Sequence, residues 1–187
     1  MRIYISGGCK NGKSTYAQSL AVRQKGANNC LYYVATMNPR DLEDEERIKR
    51  HQADRKGLGF ETVELFQDIE KLEGIIPVRD SSLLLDSVTA LLSNEMFKDG
   101  QIYPEAPSKI TEELKRVMNH FKNIVLVSDY LYADEGVYDS YSEEYRRGLA
   151  RIDTACARQC DIVLEVCAGY ITVHKGKAAY ETIMEGI

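Results

Sequence analysis

The sequence predicts an α/β domain with a mainly parallel central sheet, and three observations predict it. Short β-type runs alternate with helical patterns along the chain. Two of those runs, Ser82–Val88 and Asn123–Ser128, read as buried strands. A glycine-rich turn joins the first β-type run directly to the first helical pattern. The 187 residues, 44% hydrophobic and 28% charged, suit one domain covering 1–187 with its own core.

In order, Arg2–Ser6 reads as a strand. Lys13–Lys25 reads as a helix with Tyr16, Ala17, Leu20 and Ala21 on one face and Gly26 as its stop. Cys30–Ala35 is a second strand. Asn38-Pro39 is expected to open the next helix, with Asn as cap and Pro in the first turn. That helix runs to about Lys56, acidic residues first and basic ones later, as the helix dipole favours. Leu42, Ile48 and Ala53 are nearly all it offers a core, so it is expected to lie exposed or against a partner.

Glu61–Leu65 alternates like a strand, and Gln67–Gly74 reads as a short helix. A helix to about Phe97 follows the buried Ser82–Val88 run, and Lys98–Pro107 reads as a loop. Ser108–Lys122 reads as a helix capped by Ser108, and Tyr141–Gln159 as another. Asp161–Val166 and Tyr170–His174 read as two strands paired through a glycine turn, a C-terminal antiparallel hairpin.

The 24 Lys+Arg against 29 Asp+Glu give a net charge of −5, which argues against a duplex nucleic-acid surface. It does not argue against a small polyanion held by a local loop. The five Cys form no C-x-x-C pair, and the three His lie in no zinc spacing with them. Cys156 and Cys160 share a helix face and are expected to pack. A reducing, cytoplasmic setting fits this cysteine usage. No leader is expected before the opening strand, and no apolar run approaches the ~20 residues of a membrane span.

Gly7-Gly8-Cys9-Lys10-Asn11-Gly12-Lys13-Ser14 matches G-x-x-x-x-G-K-S/T between a strand and a helix, the context of a phosphate-binding loop. Its glycines let successive N–H groups turn toward phosphate oxygens, and the helix adds its positive end. Lys13 is expected to reach the β- and γ-phosphates and the Ser14 hydroxyl to ligate Mg²⁺. The fold expected is therefore the three-layer P-loop NTPase-like kind. Leu83-Leu84-Leu85-Asp86, an apolar strand ending in a carboxylate, supplies the second metal partner in Asp86. Arg47, His51 and Arg55 are spaced by four and share a helix face beyond a strand end. An imidazole there could attack phosphorus and hold a phosphoramidate, and it could equally be a solvated side chain.

These stretches together resemble the adenosylcobinamide kinase/adenosylcobinamide-phosphate guanylyltransferase family of cobalamin biosynthesis. Gly7-Gly8 through Lys13-Ser14 with Ala17 is similar to the family's G-G-x-x-S-G-K-S-x-x-A, and Leu31–Thr36 to its L-Y-I/V-A-T. Arg47-Ile48-Lys49-Arg50-His51 with Arg55 and Phe60–Glu64 resembles R-I-x-x-H-x-x-x-R-P and W-x-T-x-E. Leu84–Thr89 with Asn94 resembles L-L-E/D-x-L/I-T-x-L/W-x-N/S.

The resemblance implies phosphorylation of the adenosylcobinamide hydroxyl with ATP or GTP, then GMP transfer from GTP through a covalent link to His51. It implies that the nucleotide is held by the phosphate loop and by Ala35, Thr36 and Met37. It adds Arg47, Gln52, Ala53 and Asp54 of the histidine helix and the acids Glu64 and Asp86. It also implies a homotrimer acting on nucleotide and corrinoid substrates.

The chain departs from the family pattern at Asn11, Lys56 and Phe60, where the family has Ser, Pro and Trp. It departs further where V-T/S-N-E-V-G-x-G-I-V-P is replaced by Val127–Gly136, and where F-R-D-x-x-G-x-x-N survives as Tyr145-Arg146-Arg147 with Ala150 and Asp153. Residues 129–144 hold six acids, no Lys or Arg and four of the twelve Tyr. Acceptor choice is expected to be decided there. Two alternatives are a P-loop kinase with another small acceptor and no covalent step, and a GTP-binding regulatory protein, for which the N-K-x-D motif is absent.

Overall fold

The computed structural model describes residues 1–26, 29–39, 41–76, 80–132 and 136–185, without the side chain of Arg47. Seven strands form the central sheet: β1 (Arg2–Gly7), β2 (Leu31–Ala35), β3 (Phe60–Glu64), β4 (Ser82–Asp86), β7 (Asn123–Asp129), β8 (Ile162–Cys167) and β9 (Tyr170–Lys175). Between β4 and β7 the chain makes a separate small hairpin, β5 (Phe97–Lys98) with β6 (Gln101–Ile102). The order across the sheet is β3-β2-β4-β7-β1-β8-β9. All neighbours are parallel except β8 and β9. These two are joined by Ala168-Gly169, both at positive φ, as a two-residue type I′ hairpin needs.

The central strands are apolar on both faces because both are covered. Along β4, Leu83 and Leu85 face one core and Leu84 the other; along β7, Ile124 and Leu126 oppose Val125 and Val127. One face carries α4 (Val88–Met96), α5 (Ala106–His120) and α6 (Ser140–Gln159). The other carries α1 (Lys13–Gln24) and α7 (Lys177–Glu185), a helix beyond the elements expected from the sequence. Cys156 and Cys160 are buried thiols in the first core.

Several boundaries differ from the sequence expectation. Helix α2 spans Leu42–Asp54, and its cap is Asp41, whose carboxylate accepts from Asp44 N at 2.9 Å. Asn38 and Pro39 lie before it in the approach from β2. Helix α5 begins at Ala106, so Ser108 sits inside the first turn instead of capping it. The expected loop at Lys98–Pro107 contains most of the β5–β6 hairpin, turned by Asp99-Gly100 at positive φ. Gln67–Gly74 divides into a 3₁₀ turn, Ile69–Lys71, and α3 (Leu72–Ile75). An acidic trio of Asp68, Glu95 and Glu113 is filled by the Lys109 ammonium at 2.6, 2.5 and 3.5 Å, which ties this turn to α4 and α5.

Candidate functional site

The candidate site lies at the carboxyl ends of β1, β2, β4 and β7, where open α/β sheets leave a crevice. The loop after β1 needs its glycines for two reasons. A Cβ on Gly7 would collide with the Val166 carbonyl of β8, and Gly12 holds φ +89 as the first helical turn begins. Asn11 fixes the loop from inside, because its Nδ2 donates to Val166 O and its Oδ1 accepts from Lys13 N at 3.2 Å.

Lys13 is almost fully buried, and its ammonium is held by three acceptors. They are Asp129 Oδ1 at 2.5 Å, Gly8 O at 2.8 Å and Asn11 Oδ1 at 3.4 Å. Asp129 ends β7 in register with Gly7. The sequence carried its signal, because Ile124–Asp129 is a second apolar strand ending in a carboxylate, the pattern that singled out Asp86.

A cleft of about 320 Å³ is lined by the loop residues Lys10, Asn11, Gly12, Lys13 and Ser14, with His51 and Asp54 from α2 and Asp86 and Asp129 from the strand ends. Ser14 and Asp86 thus offer a hydroxyl and a carboxylate oxygen in one cleft, hard donors of the kind Mg²⁺ takes. Asp86 is held in place by Tyr33, whose hydroxyl donates to Oδ2 at 3.0 Å. Across the mouth, the exposed Lys10 reaches Glu43 of α2 at 3.6 Å.

A second pocket of about 470 Å³ lies on the other side of α2, and both His51 and Asp86 line it as well. Its walls include Ala35, Met37, Gln52, Glu64, Phe66 and Arg55. Arg55 is buried, its guanidinium 4.1 Å from the centre of the Tyr33 ring and 3.2 Å from Thr62 Oγ1. A wall that mixes apolar and aromatic side chains with the carboxylates of Glu45, Glu64 and Asp86 suits a planar, hydrogen-bonding ring. His51 Nδ1 is buried without a hydrogen-bond partner among the described residues. The ring therefore stands between the two pockets with a nitrogen that no described protein group engages.

Not every expected residue comes to the cleft. Thr36 is fully buried, and each of its polar groups has a protein partner. Its hydroxyl donates to Ser87 O and accepts from Ser87 N, both at 2.7 Å; its N–H bonds Asp86 O and its carbonyl accepts from Asn94. It braces the ends of β2 and β4. Ala53 is exposed on α2 and lines neither pocket. Gly7, Gly8 and Cys9 shape the loop without lining the cleft. Arg47 lies on α2, and its side chain falls outside the described residues. Tyr33, Phe66 and Asp129, none of them expected among the nucleotide contacts, enter the site, together with Arg55, which shares the His51 face of the helix.

A strand–loop–helix phosphate cradle facing a strand-end carboxylate, on a mainly parallel sheet, defines a P-loop NTPase-type protein. Solved structures share the fold. One ATPase domain superposes with a TM-score of 0.50 at 12% identity, over 88% of this chain and 68% of that one. A KaiC-like protein of Pyrococcus horikoshii OT3 does so at 0.50 and 12%, over 93% and 78%. The family model for cobinamide kinase / cobinamide phosphate guanyltransferase matches residues 3–173, and the chain belongs to that family. Two curated relatives are both called bifunctional adenosylcobalamin biosynthesis protein CobU. The Escherichia coli K12 protein is 31% identical and the Salmonella typhimurium LT2 protein 29% identical, each over 100 residues. These matches cover 54% of this chain and 52% of each relative, so the chain spans about half the length of the curated relatives it matches.

Proposed function

We propose that this chain is a nucleotide-dependent kinase and guanylyltransferase acting on adenosylcobinamide in cobalamin biosynthesis. The observation that carries the reading is His51, which stands between the phosphate cleft and the planar-ring pocket and borders both. In the kinase step the acceptor hydroxyl oxygen attacks the γ-phosphorus of ATP or GTP and the nucleoside diphosphate leaves. Lys13 and the loop N–H groups hold the transferring phosphate and offset its developing charge. Mg²⁺, held by Ser14 and Asp86, would neutralise phosphate charge.

In the transfer step a nitrogen of neutral His51 attacks the α-phosphorus of GTP. A P–N bond forms, the α–β anhydride bond breaks and pyrophosphate leaves. A phosphate oxygen of the acceptor then attacks the same phosphorus, and the P–N bond returns its electron pair to the ring. Glu64, in the ring pocket, suits the N–H edge of guanine as a carboxylate acceptor. Ala35, Met37, Gln52, Asp54 and Arg47 complete the proposed nucleotide contacts, and Thr36 acts through the strand ends.

Incubation with adenosylcobinamide and each nucleotide in turn, followed by product analysis, tests the kinase step. Phosphorylated acceptor supports it, and unchanged acceptor with both nucleotides contradicts it. The assembly proposed is a cytoplasmic homotrimer, consistent with an α2 that exposes Leu42 at 77% and contributes nothing buried to the core among its described side chains. Light scattering at working concentration checks it, with three chain masses expected. Among the described residues, no helix is long and apolar enough to cross a membrane.

A further inference from the structure

A third hollow, of about 540 Å³, opens beside the site on the face that carries α4 and α6. Aromatic rings make most of its wall: Phe97, Tyr130, Tyr138 and Tyr145, joined by Ser142 and Arg146. Phe97 and Tyr145 lie with centroids 5.8 Å apart, and the Arg146 guanidinium sits 4.3 Å from the centre of the Tyr138 ring.

This wall is tied to the phosphate site. Tyr130 N donates to Gly7 O at 3.3 Å. Thr89 accepts from both sides: Asp129 N donates to its Oγ1 at 2.8 Å and the Tyr145 hydroxyl to its carbonyl at 2.9 Å. Asp129, the partner of Lys13, is the residue immediately before Tyr130.

The charge of the hollow selects its occupant. No described residue of its wall is acidic. The one cation among the described residues of the wall, Arg146, is already engaged by Glu143 at 3.0 Å, by Leu131 O at 2.9 Å and by the Tyr138 face. A phosphate would find the one cation of the described wall already engaged, whereas a conjugated ring without negative charge finds aromatic faces and hydroxyl groups at their edges.

We propose that this aromatic hollow is the acceptor pocket, and that it stacks one edge of the uncharged or cationic conjugated ring of a corrinoid beside the Lys13–Asp129 corner. The proposal rests on the kinase reading above and deepens it, assigning the acceptor to a place separate from both nucleotide pockets.

The test is equilibrium dialysis of the full chain against cobinamide, read by corrinoid absorbance, with GTP affinity measured alongside. Tyr138→Ala removes a half-exposed ring and is expected to weaken cobinamide binding about tenfold. Tyr138→Phe keeps the ring and is expected to stay within about twofold of wild type. Ser142→Trp fills the hollow from a second position and is expected to weaken cobinamide binding at least about tenfold. GTP affinity, which also reports folding, should stay within about twofold in all three. If folded Tyr138→Ala or Ser142→Trp holds cobinamide as tightly as wild type, the pocket assignment falls and the kinase reading stands. If the wild-type chain neither binds nor phosphorylates cobinamide, both fall together.

Discussion

The two sides of the crevice are built differently. On the α2 side, a polar helix with almost no core residues stands over strand ends, and its side chains line two pockets. On the side after β7 the sequence is acidic and tyrosine-rich, and Leu131 and Tyr132 are anchored to α6 by half-buried polar contacts. The first side follows the family pattern closely, from the phosphate loop through the histidine helix. The second departs from it, with Asp129 and Asp153 where the pattern carries Asn. A nucleotide imposes fixed chemistry on whatever binds it, so the side that meets it can vary little. The side facing an acceptor can be rebuilt as long as the Lys13 corner survives.

Variants on both sides can break or sharpen that contrast. The largest effect is expected from Lys13→Ala, which removes the buried cation of the phosphate cleft. Phosphoryl transfer should fall about a thousandfold in a single-turnover assay, with the fold retained by circular dichroism. A loss under about tenfold would move the phosphate site away from this loop.

The next effect belongs to the other side and is one of stability. Asp153 is a buried residue of α6, and burial pushes its carboxyl up to about 6, against the hydrogen bond that the Tyr132 hydroxyl donates to its Oδ2 at 3.1 Å. A carboxyl raised in the folded state takes up a proton on folding between about pH 4 and 6. Its contribution to stability is therefore lost as pH rises through that window, by up to about 3 kcal/mol. Asp153→Asn cannot titrate, so its denaturation free energy relative to wild type should become more favourable from about pH 4 to about pH 7. A parallel pH profile for the two proteins would contradict this account of the second side.

Smaller changes test how finely the nucleotide side reads its ligand. Glu64→Gln exchanges a carboxylate for an amide in the ring pocket, and GTP affinity should drop about tenfold while ATP affinity changes little. Equal losses for both nucleotides would place Glu64 outside base recognition. Lys10→Ala removes an exposed cation from the rim of the phosphate cleft together with its pair to Glu43, and GTP affinity should change less than about threefold at physiological salt.

Much of the fold was legible in the sequence because its signals are local. Apolar runs covered on both faces mark β4 and β7, and the glycine turn with a following helix marks the phosphate loop. What escaped was local chemistry outweighed by stronger neighbours. Asn38-Pro39 has the composition of a helix start, but the Asp41 carboxylate accepts from Asp44 N and caps the helix three residues later. Asp99-Gly100 has the composition of a loop, although the pair is also a strong hairpin-turn signal. In the site, Ser14, His51 and Asp86 can be picked by spacing. Arg55 packing on Tyr33 and the pairing of Lys13 with Asp129 depend on which strand ends the sheet order brings together. Lys13 and Asp129 stand 116 positions apart, and only the pairing of β7 with β1 makes them neighbours.

The claim at the centre is that His51 carries GMP. Intact-mass analysis of the chain after incubation with GTP and Mg²⁺, beside His51→Ala treated in the same way, tests it most directly. A GMP adduct on wild type, absent from the variant and stable to base but lost in acid as a phosphoramidate is, is the predicted result. An adduct of equal yield on His51→Ala, or none on a wild-type chain that phosphorylates the acceptor, would contradict it.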